Sequence, residues 1–482
     1  MAVKAPNIMS PLNDKPPLIG DVTNLIALAH GFTLGWVSPS LEYLLSNDTH
    51  LAGGPMTVEE TSWLGSSLCI GGMIGVTVYG SLADRIGKRR ALQCIAIPHV
   101  AFWLFVIFGR NVIQLCIGRV LAGVAGGGII RIVPLFVADI ADPRIRGMLG
   151  SLLPVCFNLG TVLAFILGTL VPFATFPLVV LALPALFTLA IIFLPETPAC
   201  LLRAYRNEKA EQSLMFYRGV RGHFDKSDTF RNEFQQLKDM IEREKTAPDA
   251  ALSWNDFATK PARRGLAMGM LLMLLTQCSG TLALITYASS IFEMAGTPST
   301  TGPHSVLPAA LSSIILATVQ LLGTILSLAL VDRIGRKILL IVSCLGVAIG
   351  YLTLAGYVQF LLPSVSSSPN LPTGIVQFLP ICSLSISILL ASVGLLTVPF
   401  VVMAEVLPAK IRNIGSTICM TIVALSAFFV LKLFPVLLDT VGLAGTMAGL
   451  SMCLSIDALI ETPSVSHIYF KLHYGFSLTL SI

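Results

Sequence analysis

From residue 22 onward the chain alternates long apolar stretches with short polar ones, and that alternation leaves few folds open to it. The stretches fall at roughly 22–45, 62–82, 91–109, 112–138, 148–170, 174–194, 265–292, 306–331, 337–361, 375–403, 414–436 and 441–460. Most reach the ~20 residues that carry a helix across ~30 Å of hydrocarbon at 1.5 Å per residue. Within lipid every backbone N–H and C=O must be satisfied inside the segment, so runs of this length read as helices. The twelfth is expected to be cut short, because Asp457 interrupts it and a charge near the bilayer centre costs at least ~3 kcal/mol. Charged residues are only 12% of 482 positions and hydrophobic ones 54%. Mean hydropathy is +0.81. A soluble domain carries about 25% charged residues, so an ordinary globular fold is excluded.

The basic residues give the orientation. With residues 1–21 in the cytoplasm, the inside loops hold Arg85, Lys88, Arg89, Arg90, Arg144, Arg146, Arg333, Arg336, Lys337, Lys410 and Arg412, while the outside loops hold Arg110. This is the asymmetry of the positive-inside rule. The net charge of +5 is spread along these loops, so no nucleic-acid partner is expected. Asn47-Asp48-Thr49 is a glycosylation sequon, and this topology sets Asn47 in the first outside loop. No charged leader, short apolar core and cleavage site opens the chain, so no removable signal peptide is expected. The ten cysteines show no metal-ligand spacing and read as small buried hydrophobes; no metal or cofactor is expected.

The polar segment 195–264 breaks the membrane pattern and reads as short amphipathic cytoplasmic helices. It separates a first six-span unit (22–194) from a second (265–460), with an atypical tail at 461–482. The two units repeat one another. D-R-I-G-K-R-R (Asp84 to Arg90) follows the second span and D-R-I-G-R-K (Asp332 to Lys337) the eighth. A-D-I-A-D-P-R-I-R (Ala138 to Arg146) follows the fourth span and A-E-V-L-P-A-K-I-R (Ala404 to Arg412) the tenth, so Asp139 stands to Arg146 as Glu405 stands to Arg412. Two matches, in order and at equivalent loops, argue for an internal duplication. Duplicated six-helix bundles that rock about a midplane site are the architecture of alternating access. The expected fold class is therefore an all-α membrane protein of two pseudo-symmetric six-helix bundles. No G-x-x-x-x-G-K-[ST] run occurs, and Gly123 to Gly128 lies inside a span with no flanking strand, so close helix packing is the expected role of those glycines.

The repeated loops pair acids with bases. Asp84 and Asp332 are expected to start tight turns that Gly87 and Gly335 permit. Asp139, Glu405 and Glu196 are expected to oppose Arg85, Arg146, Arg333 and Arg412, with Arg89 among the basic residues at the surface, as a cytoplasmic latch between the bundles.

D-R-I-G-K-R-R, G-R-V-L-A-G (Gly118 to Gly123), P-L-F-V-A-D-I with R-I-R-G, P-E-T-P and the second D-R-I-G-R-K together resemble the sugar porter family of the major facilitator superfamily, over about residues 20–435. Leu152-Leu153-Pro154 and the G-W-V-S-P-S-L run of the first span look most like insect facilitated trehalose transporter-like proteins. The resemblance implies a monomeric plasma-membrane carrier of a small sugar, trehalose or hexose. It implies a seventh-span site at Gln277, Ser279 and Tyr287, a contact from Gln320 in the eighth span, and Phe400 where a tryptophan is common. The family's other amides and aromatics are replaced here by Thr276, Leu282, Thr286, Val423 and Ala424. Sugar hydroxyls need amide donors and acceptors, and pyranose faces stack on aromatic rings, so another small polar solute is an alternative substrate. A non-transporting sugar receptor is a second alternative. Gly35-Trp36-Val37 carries no acid where proton-coupled members of the family have one, which implies facilitated diffusion. His30 reads either as a titrating group or as a helix-interface histidine, and Arg131 either pairs inward or faces a water-filled cavity. No acid–base pair or metal constellation lies within the spans, so no enzyme is expected.

Overall fold

The computed structural model describes residues 17–141, 146–220, 228–246, 253–296, 308–363, 378–408 and 410–475. Every regular element among them is helical. Nine of these helices are long and apolar enough to cross a membrane by length and composition, and Phe176–Ile192 and Gly442–Ala458 are shorter apolar helices. In chain order the first bundle consists of a first span in two pieces, Pro17–Gly35 and Val37–Leu45, then Val58–Ile86, Lys88–Phe108, Val112–Ile140, Arg146–Leu170 and Phe176–Ile192. Four linker helices follow, at Pro198–Arg203, Asn207–Arg218, Asp228–Thr246 and Trp254–Ala258. The second bundle begins with a seventh span broken into Lys260–Cys278, Thr281–Thr286 and Ala288–Met294. It continues with Ala309–Ile334, Arg336–Gly356, the tenth span (Leu379–Leu390 and Val398–Val406), Arg412–Thr440 and Gly442–Gly475.

Local sequence explains where these helices start and stop. The second span opens on a capping box: the Glu60 amide donates to Thr57 Oγ1 at 3.2 Å and the Thr57 amide to Glu60 Oε2 at 2.8 Å. It ends at Gly87, whose φ of +94° is matched by +91° at Gly335 after the eighth span. The two D-R-I-G motifs thus share one backbone solution that only glycine adopts without strain. Asp84 and Asp332 do not start the turn as expected: each lies in the last turn of its helix, and the bend is confined to the glycine. The twelfth helix also runs on, through Asp457 to Gly475. A carboxylate leaves the helical backbone intact, and Asp457 is 4% exposed. The apolar part of that helix still ends at Ala458.

Close packing in the first bundle comes from small residues. A side-chain carbon at Gly123 would sit 1.9 Å from the Leu68 carbonyl oxygen, and one at Gly71 would sit 1.8 Å from that of Val120. The second and fourth spans therefore meet backbone to backbone, which is what the glycine run around Gly123 is for. Arg119, 1% exposed, ties three spans together by donating to the carbonyls of Thr33 at 2.8 Å and Leu64 at 3.2 Å.

Candidate functional site: the interface between the bundles

The loop charges assemble at one end of the spans, that of the Gly87 and Gly335 bends, one cluster per bundle. In the first, Lys88 pairs with Asp139 at 2.6 Å and also donates to the Leu135 carbonyl, while Thr197 donates to the same carboxylate at 3.0 Å. Glu196 accepts from the Arg89 and Thr197 amides at 3.0 and 3.1 Å. A side-chain carbon at Gly87 would come within 2.5 Å of that carboxylate. The Arg89 guanidinium caps the end of the sixth span through the carbonyls of Ile191 and Ile192. In the second bundle Arg336 bridges Asp332 at 3.1 Å and Glu405 at 3.3 Å, and Arg412 donates to the Leu407 carbonyl.

These pairings differ from the expected ones. Asp139 takes Lys88 and Glu405 takes Arg336, neither of them among the four arginines expected to oppose these acids; Asp84, Arg85 and Arg333 are exposed. The Arg146 side chain lies outside the described residues. The reason is geometric: the residue just past the glycine bend points back under the neighbouring span, whereas the arginine before it points to solvent. Each of these ion pairs lies within one bundle. The linker joins them, since Arg218 pairs with Glu233 at 2.6 Å and donates to the Ile140 carbonyl. Asp256 meets Lys410 at 2.8 Å, and that hydrogen bond holds the Asp256 carboxyl below its ordinary range.

Other residues join the two bundles. Away from the motif charges, Ser38 and Ser289 share a hydrogen bond of 2.8 Å between the first and seventh spans. Lys432, in the eleventh span, donates to Ser62 Oγ at 2.8 Å and lies 4.1 Å from the centroid of the Trp63 ring. At mid-depth Asn158 Nδ2 of the fifth span donates to Thr324 Oγ1 of the eighth at 2.7 Å. Toward the end that carries the motif charges, Arg131 donates to Ser416 Oγ at 3.2 Å and to the carbonyl and side-chain oxygens of Asn413. Of the two readings left open for Arg131, pairing inward is the one observed. None of Asn158, Lys432 and Arg119 was singled out from sequence, although Lys432 and Arg119 carried a usable signal as charges inside apolar runs.

The seventh span shows what became of the expected contact residues. Gly280, with φ of +70°, breaks the helix, and Ser279 Oγ pins the break by donating to the Thr276 carbonyl at 2.6 Å and meeting Thr281 Oγ1 at 2.8 Å. The hydroxyls of Thr276 and Thr286 bond back to Leu272 and Leu282 within their own helices. Tyr287 is 2% exposed, donates to the Leu431 carbonyl at 3.1 Å, and stacks on Phe434 with ring centroids 5.7 Å apart. Its hydroxyl lies where a side chain at Gly65 of the second span would be, 2.0 Å away, so it closes the seventh span against the first bundle. Phe400 is half-buried and packs near Met273, Met403 and Leu407. Gln277 is half-buried, and its amide has no hydrogen-bond partner among the described residues. Gln320 is 7% exposed, and its Oε1 has no partner among them. His30 is an interface residue, with its ring 5.5 Å from Phe157 and 6.0 Å from His99.

A seventh span broken beside the interface of two helical bundles is a feature of secondary-transporter folds. The family model described as "Sugar (and other) transporter" matches residues 26–465. The chain belongs to that family. Among its relatives, the "Sugar transporter ERD6-like 7" of Arabidopsis thaliana is 32% identical over 81% of this chain and 78% of its own length. The "Facilitated trehalose transporter Tret1" of Bombyx mori is 29% identical over 86% of this chain and 77% of that protein. The Drosophila grimshawi protein of the same name is 29% identical over 91% of this chain but 45% of its own length. The chain thus spans about half the length of several curated relatives it matches. Among solved structures, an inward-open form of the xylose transporter XylE from E. coli superposes with a TM-score of 0.73 at 20% identity, over 92% of this chain and 94% of that one. A partially occluded inward-open form gives 0.70 at 19% identity, over 92% and 96%. The chain therefore has the major facilitator superfamily fold.

Proposed function

We propose that this member of the sugar transporter family carries trehalose or a hexose by facilitated diffusion through alternating access, acting as a monomer in the plasma membrane with its N-terminus in the cytoplasm and Asn47 glycosylated outside. The observation that carries the reading is the buried Gln320 Oε1 of the eighth span, which has no donor among the described residues, in a two-bundle chain whose broken seventh span carries the half-buried Gln277 amide. Amides of this kind match the paired donors and acceptors of sugar hydroxyls. Trp36 in the Gly35-Trp36-Val37 run is fully buried against Phe102 and Phe173 and supplies no ionisable group, in keeping with uniport. Tyr287 serves as the outer gate, and Phe400 lines the inner approach. The motif residues Asp84, Arg85, Gly87, Arg89, Asp139, Arg146, Glu196, Asp332, Arg333, Glu405 and Arg412 serve gating: the ion pairs of Asp139, Asp332 and Glu405 hold each bundle's cytoplasmic ends rigid, so that opening is a rigid-body step between bundles. The test is uptake of radiolabelled trehalose and glucose into expressing cells at two pH values. Saturable uptake insensitive to a protonophore supports the reading. Uptake that needs a proton gradient removes uniport, and no uptake despite surface expression removes transport of these sugars.

A second reading rests on a specific observation: Leu282, Val423 and Ala424 carry no polar side chain, and the Thr276, Ser279 and Thr286 hydroxyls are spent within the helices. Those losses favour a small polyol or another polar solute over a fully recognised disaccharide, and polyols in the same uptake assay decide between them.

A further inference from the structure

A cleft of about 350 Å³ opens between the second piece of the first span and the turn that joins the fifth span to the sixth. It lies at the end of the first bundle opposite the motif charges. The second span runs from Val58 to the Gly87 bend, and the Met56 amide donates to the Leu44 carbonyl at 3.1 Å, so Val37–Leu45 ends beside the start of that helix. Gly168 lets the fifth span close the floor, since a side-chain carbon there would lie 2.6 Å from Pro39 Cγ. The walls are the rings of Tyr43, Phe173 and Phe176. Tyr43 and Phe173 stack with centroids 4.8 Å apart, and His50 packs on both while its Nε2 donates to the Gly109 carbonyl at 3.0 Å. Two polar groups in the cleft are unspent. Ser40 is 7% exposed, yet its hydroxyl has no hydrogen-bond partner among the described residues. The Glu42 carboxylate lines the same cleft and has no hydrogen-bond or ion-pair partner among them. Glu42 follows Ser38 by one turn and Glu293 follows Ser289 by one turn, and those serines bond across the bundle interface. The two carboxylates therefore reinforce one negative potential at this end.

Among the described residues no lysine, arginine or amide side chain lines the cleft. An anion is repelled there, and a sugar finds too few donors. An unpaired carboxylate beside aromatic walls suits instead a cation that carries apolar surface. We propose that this cleft binds a small quaternary ammonium group, with Glu42 as its counter-ion, Tyr43 and Phe173 against its methyl groups, and Ser40 bonded to a hydroxyl that it carries. The group arrives either on a free solute or on the choline headgroup of a lipid. The site lies within the first bundle, apart from Gln277 and Gln320 of the second, and does not depend on the transport reading.

The test is equilibrium binding of radiolabelled choline to the purified full chain in a detergent without a choline headgroup. Saturable binding is expected, displaced by benzyltrimethylammonium but not by dimethylbutanol, the uncharged isostere of choline. Glu42→Gln weakens it about fivefold, the upper range for an exposed ion pair, and Tyr43→Leu about fivefold through loss of one ring face. Gln277→Ala leaves it unchanged, and neither glucose nor trehalose displaces it. Thermal melting of each variant separates a lost site from a lost fold. Weaker choline binding in phosphatidylcholine nanodiscs than in detergent assigns the site to the lipid headgroup, and equal binding assigns it to a free solute. Absence of saturable binding by the folded protein up to about 10 mM choline would overturn the proposal. Equal displacement by dimethylbutanol, displacement by glucose, or wild-type affinity in a folded Glu42→Gln variant would overturn it as well.

Discussion

Arg131 provides the sharpest test of how the bundles part at the end of the spans that carries the motif charges. Among the described residues the motif ion pairs lie within single bundles, so they do not have to break for the bundles to separate. Arg131 does, because it leaves the fourth span to reach Ser416 and Asn413 in the eleventh. A hydrogen bond to a charged group contributes about 1.5–3 kcal/mol when buried. Arg131 is only half-buried and its partners are neutral, so solvent screening brings the whole contact down to about 1–2 kcal/mol. That is roughly a 5- to 30-fold shift in the equilibrium between cytoplasm-closed and cytoplasm-open states. The perturbation is Arg131→Gln, alone and combined with Asn413→Ala. The assay is pulsed dipolar spectroscopy between spin labels at Leu135 and Ile414, both exposed near the inner ends of these spans, in a background with the native cysteines replaced. Each variant is expected to move population from the short to the long distance by that factor. The double variant is expected to do little more than either alone, because the two residues share one interaction. An unchanged distance distribution in Arg131→Gln, or effects that simply add, would refute the strap.

Three further outcomes follow from the geometry. Gly123→Ala must push the second and fourth spans apart by about 1.5 Å to restore ordinary contact with Leu68, and overpacking of this kind costs about 1–3 kcal/mol; Tm in detergent should fall by several degrees, and an unchanged Tm would show the backbones are not in contact. Lys432→Met removes both the Ser62 hydrogen bond and the contact with Trp63, and should raise labelling from outside of a cysteine at Ser66 about threefold. Gln277→Ala should raise KM roughly 3- to 10-fold with Vmax little changed, whereas Ser279→Ala should lower thermal stability and leave KM near wild type, since Ser279 Oγ is engaged in the helix break. The reverse pattern would exchange their roles.

Much of the architecture was legible because a membrane forces each span to satisfy its own backbone, so hydropathy alone delimits the helices. The duplication was legible because one bend has one backbone solution: the two D-R-I-G motifs predicted equivalent turns, and Gly87 and Gly335 share the same positive φ. Ion-pair partners were not legible. Arg85 and Lys88 are equally near Asp139 in any loop drawing, and only the direction of the helix past Gly87 sets Lys88 against it. The role of Ser279 was hidden for a similar reason, since a hydroxyl beside a glycine is as useful for pinning a helix break as for touching a ligand. The contacts between bundles, Asn158 with Thr324 and Lys432 with Ser62, link residues more than 160 positions apart. No local pattern reports a pairing over that distance. Even so, a lysine and an arginine inside apolar runs were each a reason to expect a partner.

The central claim is that this chain moves a sugar passively by exposing one site to each side in turn. The most direct test is counterflow in liposomes containing the purified protein: vesicles preloaded with unlabelled trehalose or glucose are diluted into a trace of the labelled sugar, with no ion gradient. The account predicts a transient accumulation of label that requires the preloaded sugar and is unaffected by a protonophore. Accumulation only with an imposed proton gradient, or none with any preloaded sugar from a protein shown to be folded, would contradict it.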